Sequence, residues 1–382
     1  MDFNYLPRTL ALVSLTSLLH ASQADTSLNS LTNRIVSLEE SLECSPNLNT
    51  AARPPLSECS NLFITGDFLW WEAHETGLDF VIKNEEGTSF INNGKINNPK
   101  SPWHPGFRVG LGYNLPHDGW DIYANLMRFY TRGKGDRTEQ PLGGAMYATW
   151  LDPHHNDRPS PTELELHDAK SLWKLHLNQI DLSLGREFFV SRYVTLRPHL
   201  GIRTAWVRQK YAIHYRGHIS DPNAVNFNRL LTLGVPTHTQ VRMSNRYWGL
   251  GPVGGINSQW EFWGGFSFYG DLDLALLYGF FRNDQFQKAL LSETSQFRIK
   301  NRFHLGRAIS DLAAGLRWQS SLGDWEDPYS FNLLIQVGWE HHIYYGQNLL
   351  FRPVDNSTLG HMPSNLGDLT LQGWTLSMKF DF

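Results

Sequence analysis

The stretch that most constrains the fold is residues 373–382, where apolar and polar side chains alternate without a break. The apolar members are Trp374, Leu376, Met378, Phe380 and Phe382. Because successive side chains of a β-strand point to opposite faces, this pattern predicts a strand with one apolar and one polar face. A soluble strand can also read this way. A final strand ending on an aromatic is typical of outer-membrane barrels, so we interpret Trp374, Phe380 and Phe382 as a barrel-assembly signal.

Composition narrows the class of protein. Charged residues make up only 18% of the chain and aromatic residues 13%, while the mean hydropathy is -0.37. A helical membrane protein needs apolar runs of about 18 or more residues, whereas in a membrane barrel only alternate residues face lipid. The net charge of -4 gives no indication of a nucleic-acid partner. The composition therefore favours a β-barrel.

The N-terminus resembles a targeting segment. Arg8 precedes an apolar run at 10–19, and the small residues Ser22 and Ala24 flank Gln23 just before Asp25. A basic start, a short apolar core and a small-residue cleavage site predict a secretory signal peptide over residues 1–24. The alternative is the start of a buried helix. On the first interpretation, the mature chain is exported.

Residues 25–60 are predicted to hold a short periplasmic helix and a linker. The helix spans 28–43, where leucine and isoleucine recur at spacings of three and four, as in the apolar seam of a coiled coil. It could dock on the barrel itself or drive self-association, for example as a trimer.

The only two cysteines, Cys44 and Cys59, flank a polar loop after this helix. In an exported chain, two such cysteines most often form a disulfide with each other. A bridge between chains is the alternative. Metal binding is disfavoured because no histidine lies nearby at ligand spacing.

From residue 61 to 382 the chain reads as ten alternating runs separated by turn residues, which predicts a transmembrane antiparallel up-and-down β-barrel. The runs lie at 61–82, 106–114, 120–130, 171–189, 194–211, 240–262, 266–281, 297–319, 331–345 and 373–382. Their connections alternate between long and short, as in barrels with short periplasmic turns and longer external loops. The long segment 131–169 contains residues 146–150, which could form one more hairpin and raise the count to twelve strands.

Alternation also predicts which side chains face the lumen. The expected inward residues are Arg108, Asp121, Asn125, Asp181, Arg197, His199, Arg203, Asp271, Asp273, Arg317, Asn332, Gln336, Glu340, Lys379 and Asp381. In an open channel, charges of both signs would tune ion selectivity weakly. In a narrow barrel of this size, the same charges could instead form a salt-bridge network that plugs the interior.

Catalysis is not expected. His154, His155 and Asp157 fall in a predicted external loop, and the neighbours His341 and His342 point to opposite faces of a strand. No nucleophile elbow or zinc-protease motif appears in the sequence. We therefore expect no catalytic, cofactor or metal site.

Four stretches carry a family resemblance: FLWWEAHETGLDF at 68–80, GFRVGLGYNLPHDGWD at 106–121, LRPHLGIR at 196–203 and YWGLGP at 247–252. With them, the chain resembles the Legionella-type major outer membrane proteins and their relatives in environmental chlamydiae. The resemblance covers residues 61–382 and the preceding helix, and it implies a pore-forming outer-membrane barrel without catalytic residues.

These observations together predict a porin in the outer membrane of a Gram-negative bacterium, which lets small solutes and ions diffuse passively. Its partners would be outer-membrane lipid and the barrel assembly machinery. The alternative is a plugged barrel that acts as an adhesin or as a structural protein of the envelope.

Overall fold

The computed structural model describes residues 62–84, 94–115, 119–139, 144–150, 164–219, 235–289, 296–322, 331–352 and 367–381. Ten strands form one barrel: β1 (Leu62–Glu75), β4 (His104–Asn114), β5 (Trp120–Glu139), β7 (Leu164–Arg186), β9 (Val194–Ile219), β10 (Val235–Trp263), β11 (Phe266–Ala289), β12 (Gln296–Leu322), β13 (Phe331–Asn348) and β14 (Gly367–Asp381). The four short strands are β2 (Val81–Asn84), β3 (Gly94–Asn97), β6 (Ala145–Ala148) and β8 (Phe188–Ser191).

The barrel is closed by its first and last strands. β1 pairs antiparallel with β14 on one side, where Phe63 lies opposite Asp381, and with β4 on the other. The remaining long strands pair antiparallel in chain order, including β9 with β10. Closure leaves no unpaired sheet edge, which a bilayer would not tolerate. The predicted all-β, antiparallel up-and-down barrel is confirmed.

The two ends of the barrel differ, and we name them by their connections. At the turn end, β10 and β11 are joined through Gly264 and Gly265, whose φ angles of 55° and 79° suit a type I′ hairpin turn. The outer termini Leu62 and Asp381 of the first and last strands lie at this end as well. We call the opposite end, with the longer connections, the loop end.

Several strands extend much further toward the loop end than the sequence predicted. The predicted runs end at residues 130 and 211 and resume at 171 and 240, and these bounds were wrong. β5 continues to Glu139 and β7 begins at Leu164, while β9 and β10 reach Ile219 and Val235.

The predicted count of ten barrel strands is confirmed, whereas the alternative of twelve strands and the bounds of the first run were wrong. The segment 146–150, considered above as part of one more barrel hairpin, overlaps β6. This strand pairs with β2, and β2 also pairs with β3, so the three form a separate sheet. The first run does not continue to residue 82, because β1 ends at Glu75 and Val81 begins β2. The barrel itself therefore has ten strands.

Several predictions fall outside the described residues. They are the signal peptide at 1–24, the helix at 28–43, the cysteines Cys44 and Cys59, the loop residues His154, His155 and Asp157, and the terminal Phe382. Within the described ranges, no helix has the length and apolar character needed to cross a membrane.

The alternation inverts its phase midway along the strands. In the turn half of β7, Asp181 points inward and Ile180 and Leu182 are exposed on the outside. In the loop half, Leu175 and Leu177 are buried inside, and the outward positions beside them hold Lys174 and His176. The turn half is therefore built as a membrane barrel, and the loop half is packed inside like a soluble domain.

Outward-facing aromatic side chains bound the lipid-facing band. Trp206, Trp248 and Phe280 lie opposite one another on β9, β10 and β11. Other outward aromatics, including the exposed Trp263 and Phe268, lie near the turn end. Between the two levels most outward side chains are aliphatic, for example Leu200, Leu250 and Leu274. This arrangement matches the apolar band flanked by aromatic girdles that characterises membrane barrels.

Candidate functional site

The candidate site is the polar interior of the turn half, which encloses a cavity of about 320 Å3. The structure places every side chain predicted to face inward on its wall: Arg108, Asp121, Asn125, Asp181, Arg197, His199, Arg203, Asp271, Asp273, Arg317, Asn332, Gln336, Glu340, Lys379 and Asp381. The period-two alternation of the strands brings them together, because each occupies the inward phase of its own strand.

Near the turn end, these charges are largely paired. Arg197 donates to Asp121 from Nε over 2.8 Å and to the amide oxygen of Asn257 from Nη1 over 2.8 Å. The Lys379 ammonium lies 2.9 Å from a carboxylate oxygen of Asp381. Because both partners of each pair line the cavity, its wall is polar and carries both signs of charge.

Deeper inside, Arg203 is the centre of a buried cluster and is only 2% exposed. Its Nε and Nη2 donate to the two carboxylate oxygens of Asp181 over 2.8 Å and 3.0 Å. Its Nη1 donates to Asp311. A guanidinium held by carboxylates on both sides forms a rigid bridge between strands, since its donors lie in a fixed fork.

The cluster continues from Asp311 as a chain of ion pairs. His342 Nδ1 lies 2.8 Å from Asp311, and its Nε2 lies 3.0 Å from Glu340. Arg108 then donates to Glu340 from Nη2 over 2.7 Å and to Asp67 from Nη1 over 3.0 Å. The signs alternate along the chain when His342 is protonated.

This chain, which we call the interior network, links strands on different sides of the barrel. It runs from Asp181 on β7 through β9, β12, β13 and β4 to Asp67 on β1. The members of the network lie in the middle of the interior and are mostly buried. In this conformation the network therefore obstructs the lumen, and the barrel is not an open channel.

Toward the loop end, the interior is an apolar core. Trp71, Leu175, Leu177 and Val207 are fully buried and belong to one continuous hydrophobic cluster. These residues lie inside because the inward positions of their strands are apolar in the loop half. The core therefore fills most of the loop half with apolar side chains, among which a few polar ones such as Glu75 and Gln209 are buried.

Chain segments that are not part of the wall strands pack inside the barrel and complete this core. Tyr211 Oη donates to the carbonyl of Leu78 over 2.5 Å, and Tyr215 Oη donates to that of Phe80 over 2.6 Å. Trp150 Nε1 donates to the carbonyl of Asp79 over 2.6 Å. We call residues 78–81 the plug segment, because wall side chains hold its backbone inside the barrel.

A second segment supports the plug. The side-chain amides of Asn245 and Asn283 donate to the carbonyls of Gln347 and Leu349 over 3.1 Å and 2.6 Å. Arg352 Nη2 lies 2.8 Å from Asp79 Oδ1. Hydrogen bonds therefore attach both the plug segment and residues 347–352 to the rest of the structure. These bonds would break if the plug segment moved out of the barrel.

Sequence reasoning missed three members of the interior network: Asp67, Asp311 and His342. Each occupies an inward position of its strand, so assigning every second residue of the strand to the interior would have found it.

His341 and His342 do point to opposite faces, since only His342 lines the cavity. Trp374 and Phe380 face outward, at 54% and 37% exposure. In the part of the chain described, no group of three or more metal-binding side chains converges.

Comparison with solved structures gives outer-membrane barrels at low similarity. A major outer membrane protein from Thermus thermophilus is 9% identical, with a TM-score of 0.25 over 85% of this chain and 100% of that one. The translocator domain of the autotransporter NalP from Neisseria meningitidis is 9% identical, with a TM-score of 0.29 over 96% and 99%. The P. putida toluene transporter TodX is 8% identical, with a TM-score of 0.22 over 85% and 90%. At such TM-scores these similarities carry no argument.

The family comparison is decisive. No curated protein matches the chain. A family model described as the Legionella pneumophila major outer membrane protein precursor matches residues 54–382, which include the whole barrel. The closed barrel with its lipid-facing band is the architecture expected of an outer-membrane protein. The chain is therefore an outer-membrane β-barrel that belongs to the Legionella major outer membrane protein family.

Proposed function

We propose that the protein is a narrow outer-membrane pore for passive diffusion of small ions and solutes, and that the conformation described here is its closed state. The observation that carries this proposal is the polar cavity of the turn half, whose wall holds charges of both signs. The proposal includes no catalytic step and no cofactor.

The energetics of buried charge support a path for water and ions. Replacing a buried ion pair with apolar residues of similar volume is often neutral or stabilising. A barrel that served only as a membrane anchor could therefore have a mostly apolar interior throughout, like the hydrophobic cluster of the loop half. Charged residues in the turn half instead favour a hydrated passage, interrupted in this conformation by the interior network.

The balance of charge suggests the direction of selectivity. The cavity wall carries nine acidic side chains and five arginine or lysine side chains. Because charged rings on a pore wall favour counter-ions of opposite sign, we expect a weak preference for cations. Pairing of most of these charges keeps the preference weak.

Opening would require two rearrangements. The plug segment must leave the loop half, and the interior network must rearrange so that Arg203 no longer blocks the centre. The hydrogen bonds of Tyr211 and Tyr215 to the plug backbone oppose the first step. Conduction should accordingly be intermittent.

The second candidate is a permanently plugged barrel with an adhesive or structural role. It is favoured by the packing of the loop half, where Trp71 and Leu177 are fully buried and Trp173 is 1% exposed. The two candidates differ in one measurable property, because only the first conducts ions.

The partners are proposals of the same kind. Trp374 and Phe380 on the closing strand would be recognised by the barrel assembly machinery, and the stretch 28–43 would associate chains into a trimer. Crosslinking of the assembled protein in membranes, with and without residues 28–43, tests the second point.

Single-channel recording in planar bilayers tests the main proposal. We expect brief, small conductance steps that grow with salt and a reversal potential on the cation side in a salt gradient. Folding is checked separately by a β-type circular dichroism spectrum and by heat-dependent migration on gels. A folded and inserted protein that remains silent at all voltages would overturn the pore and leave the plugged barrel.

A further inference from the structure

Outward-facing basic side chains line up across five neighbouring strands in the loop half. In strand register, His176 lies opposite Arg208, Arg208 opposite Arg246, Arg246 opposite Arg282, and Arg282 opposite Arg302. These five residues form one row on β7, β9, β10, β11 and β12, and all of them are exposed.

A second row follows, two residues nearer the loop end. It contains Arg132, Lys174, Lys210 and Lys300, with Ser244 and Asp284 between the last two lysines. Asp284 is the one acidic side chain in the two rows, and Arg298 binds it over 2.7 Å. We call the basic side chains of the two rows the basic wall.

The basic wall is unfavourable for the sheet on its own. Neighbouring strands lie about 5 Å apart, and like charges directly opposite each other destabilise a sheet. No ion pair of the first row occurs within the described ranges. Since register fixes the cations at this spacing, bound anions would remove a repulsion that the wall cannot relieve by itself.

The level of the wall indicates where those anions are. The outward residues one step nearer the membrane than the first row include Trp206, Trp248 and Phe280, the aromatic level described above. Aromatic girdles mark the boundary between hydrocarbon and headgroups. The basic wall therefore begins where lipid headgroups lie.

The surface between the cations is concave. A groove of about 510 Å3 runs over five strands, and its lining includes Lys210, Arg246, Arg282 and Arg302 together with the apolar Phe286. Arginine binds phosphate oxygens through a planar fork of donors. An exposed groove of this kind fits a ligand with several phosphates and an apolar part.

We propose that the basic wall binds the phosphate groups of a phosphorylated glycolipid, the lipid A part of lipopolysaccharide, in the outer leaflet. The longer loops of such barrels face outward, so the loop end and its headgroup level belong to that leaflet. Acyl chains would then lie along the aliphatic band below, and phosphates would lie between the arginines of the first row.

Native mass spectrometry of the folded protein in detergent tests this proposal, with purified diphosphoryl lipid A as the probe. We expect retention of the lipid by the wild type and weaker retention as salt rises. The variant R246Q/R282Q should bind about 25-fold more weakly, since each cation near an anionic lipid surface is worth roughly fivefold in affinity. R246K/R282K keeps the charge and should retain most of the binding.

The matched control is K95Q/R192Q, which removes the same charge from two exposed residues outside the wall. It should bind lipid A like the wild type. Dephosphorylated lipid A, offered to the wild type, should bind at least tenfold more weakly than the diphosphoryl form.

Three results would overturn the proposal. They are equal binding of the dephosphorylated lipid, unchanged binding by R246Q/R282Q, and inorganic phosphate that displaces the lipid at the lipid's own concentration. The last result would assign the wall to free phosphate. The comparison of the two lipids uses the wild type alone, so it stands even where a variant fails to fold.

Discussion

Arg203 on β9 and Asp311 on β12 form an ion pair across the barrel interior, although β10 and β11 separate their strands in the wall. The ion pair therefore spans the lumen and connects two parts of the wall that are not adjacent. Together with Asp181 on β7, Asp311 encloses the guanidinium, which is 2% exposed. Stability and conduction should consequently depend on the same residue.

Replacing Arg203 with methionine should lower the free energy of unfolding by about 3–5 kcal/mol, because Asp181 and Asp311 would stay buried without their cation. The measurement is the urea midpoint of the protein refolded in lipid vesicles. The control Arg192→Met, at an exposed turn-end position, should change stability by less than about 0.5 kcal/mol.

The triple variant D181N/R203M/D311N provides a second comparison. Removing the orphaned charges as well should restore much of the lost stability, since a neutral cluster has no unpaired ions to bury. A single variant R203M as stable as the wild type would contradict the buried position of the network.

The turn half of the barrel could be predicted from the sequence because contact with lipid imposes a strict rule on its outward residues. Where a strand crosses lipid, outward residues must be apolar, so alternation alone assigned Asp181, Arg203 and Glu340 to the interior. Gly264 and Gly265 fall in the short gap between the predicted runs 240–262 and 266–281, where the structure has a hairpin turn. Ten strands followed from the number of such runs.

The loop half of the barrel could not be predicted by that rule. Beyond the membrane, Leu175 and Leu177 face inward while Lys174 and His176 face water, so the apolar phase reverses. The predicted runs extend a few residues past the reversal and then stop, so strand residues further out, such as 131–139 and 212–219, fall outside them. Pairing of Lys174 with Lys210 across strands is also invisible to a reading of each run by itself.

Phenylalanine substitutions at Tyr211 and Tyr215 test the plug. The variant Y211F/Y215F loses two hydrogen bonds to the plug backbone, each worth roughly 1 kcal/mol. We expect the open probability in planar bilayers to rise about tenfold or more, with an unchanged step size. Tyr130→Phe, on the exposed outer face, should leave the recordings unaltered.

If Y211F/Y215F opened no more often than the wild type, the plug segment would not control conduction. The same pair of recordings distinguishes this outcome from a barrel that never conducts, because the step size reports on the network and the open probability on the plug.

Two glycines of the barrel offer a matched test of interior packing. A Cβ added at Gly112 would lie 2.0 Å from Cζ of Phe63, whereas a Cβ at Gly66 would meet nothing within 4 Å. Gly112→Ala should therefore destabilise the barrel by about 1–3 kcal/mol through overpacking. Gly66→Ala should be tolerated, and urea midpoints of the two variants provide the comparison.

Leu274→Arg tests the placement of the membrane. Leu274 is 58% exposed on the outside of β11, between the aromatic levels marked by Phe268 and Phe280. Arginine at the bilayer midplane costs about 2–4 kcal/mol, and near the interfaces about 0–1 kcal/mol. The control Asn178→Arg lies at the level of Trp206, so its urea midpoint in vesicles should remain close to that of the wild type. Equal midpoints for the two arginine variants would mean that the lipid-facing band lies elsewhere on the barrel.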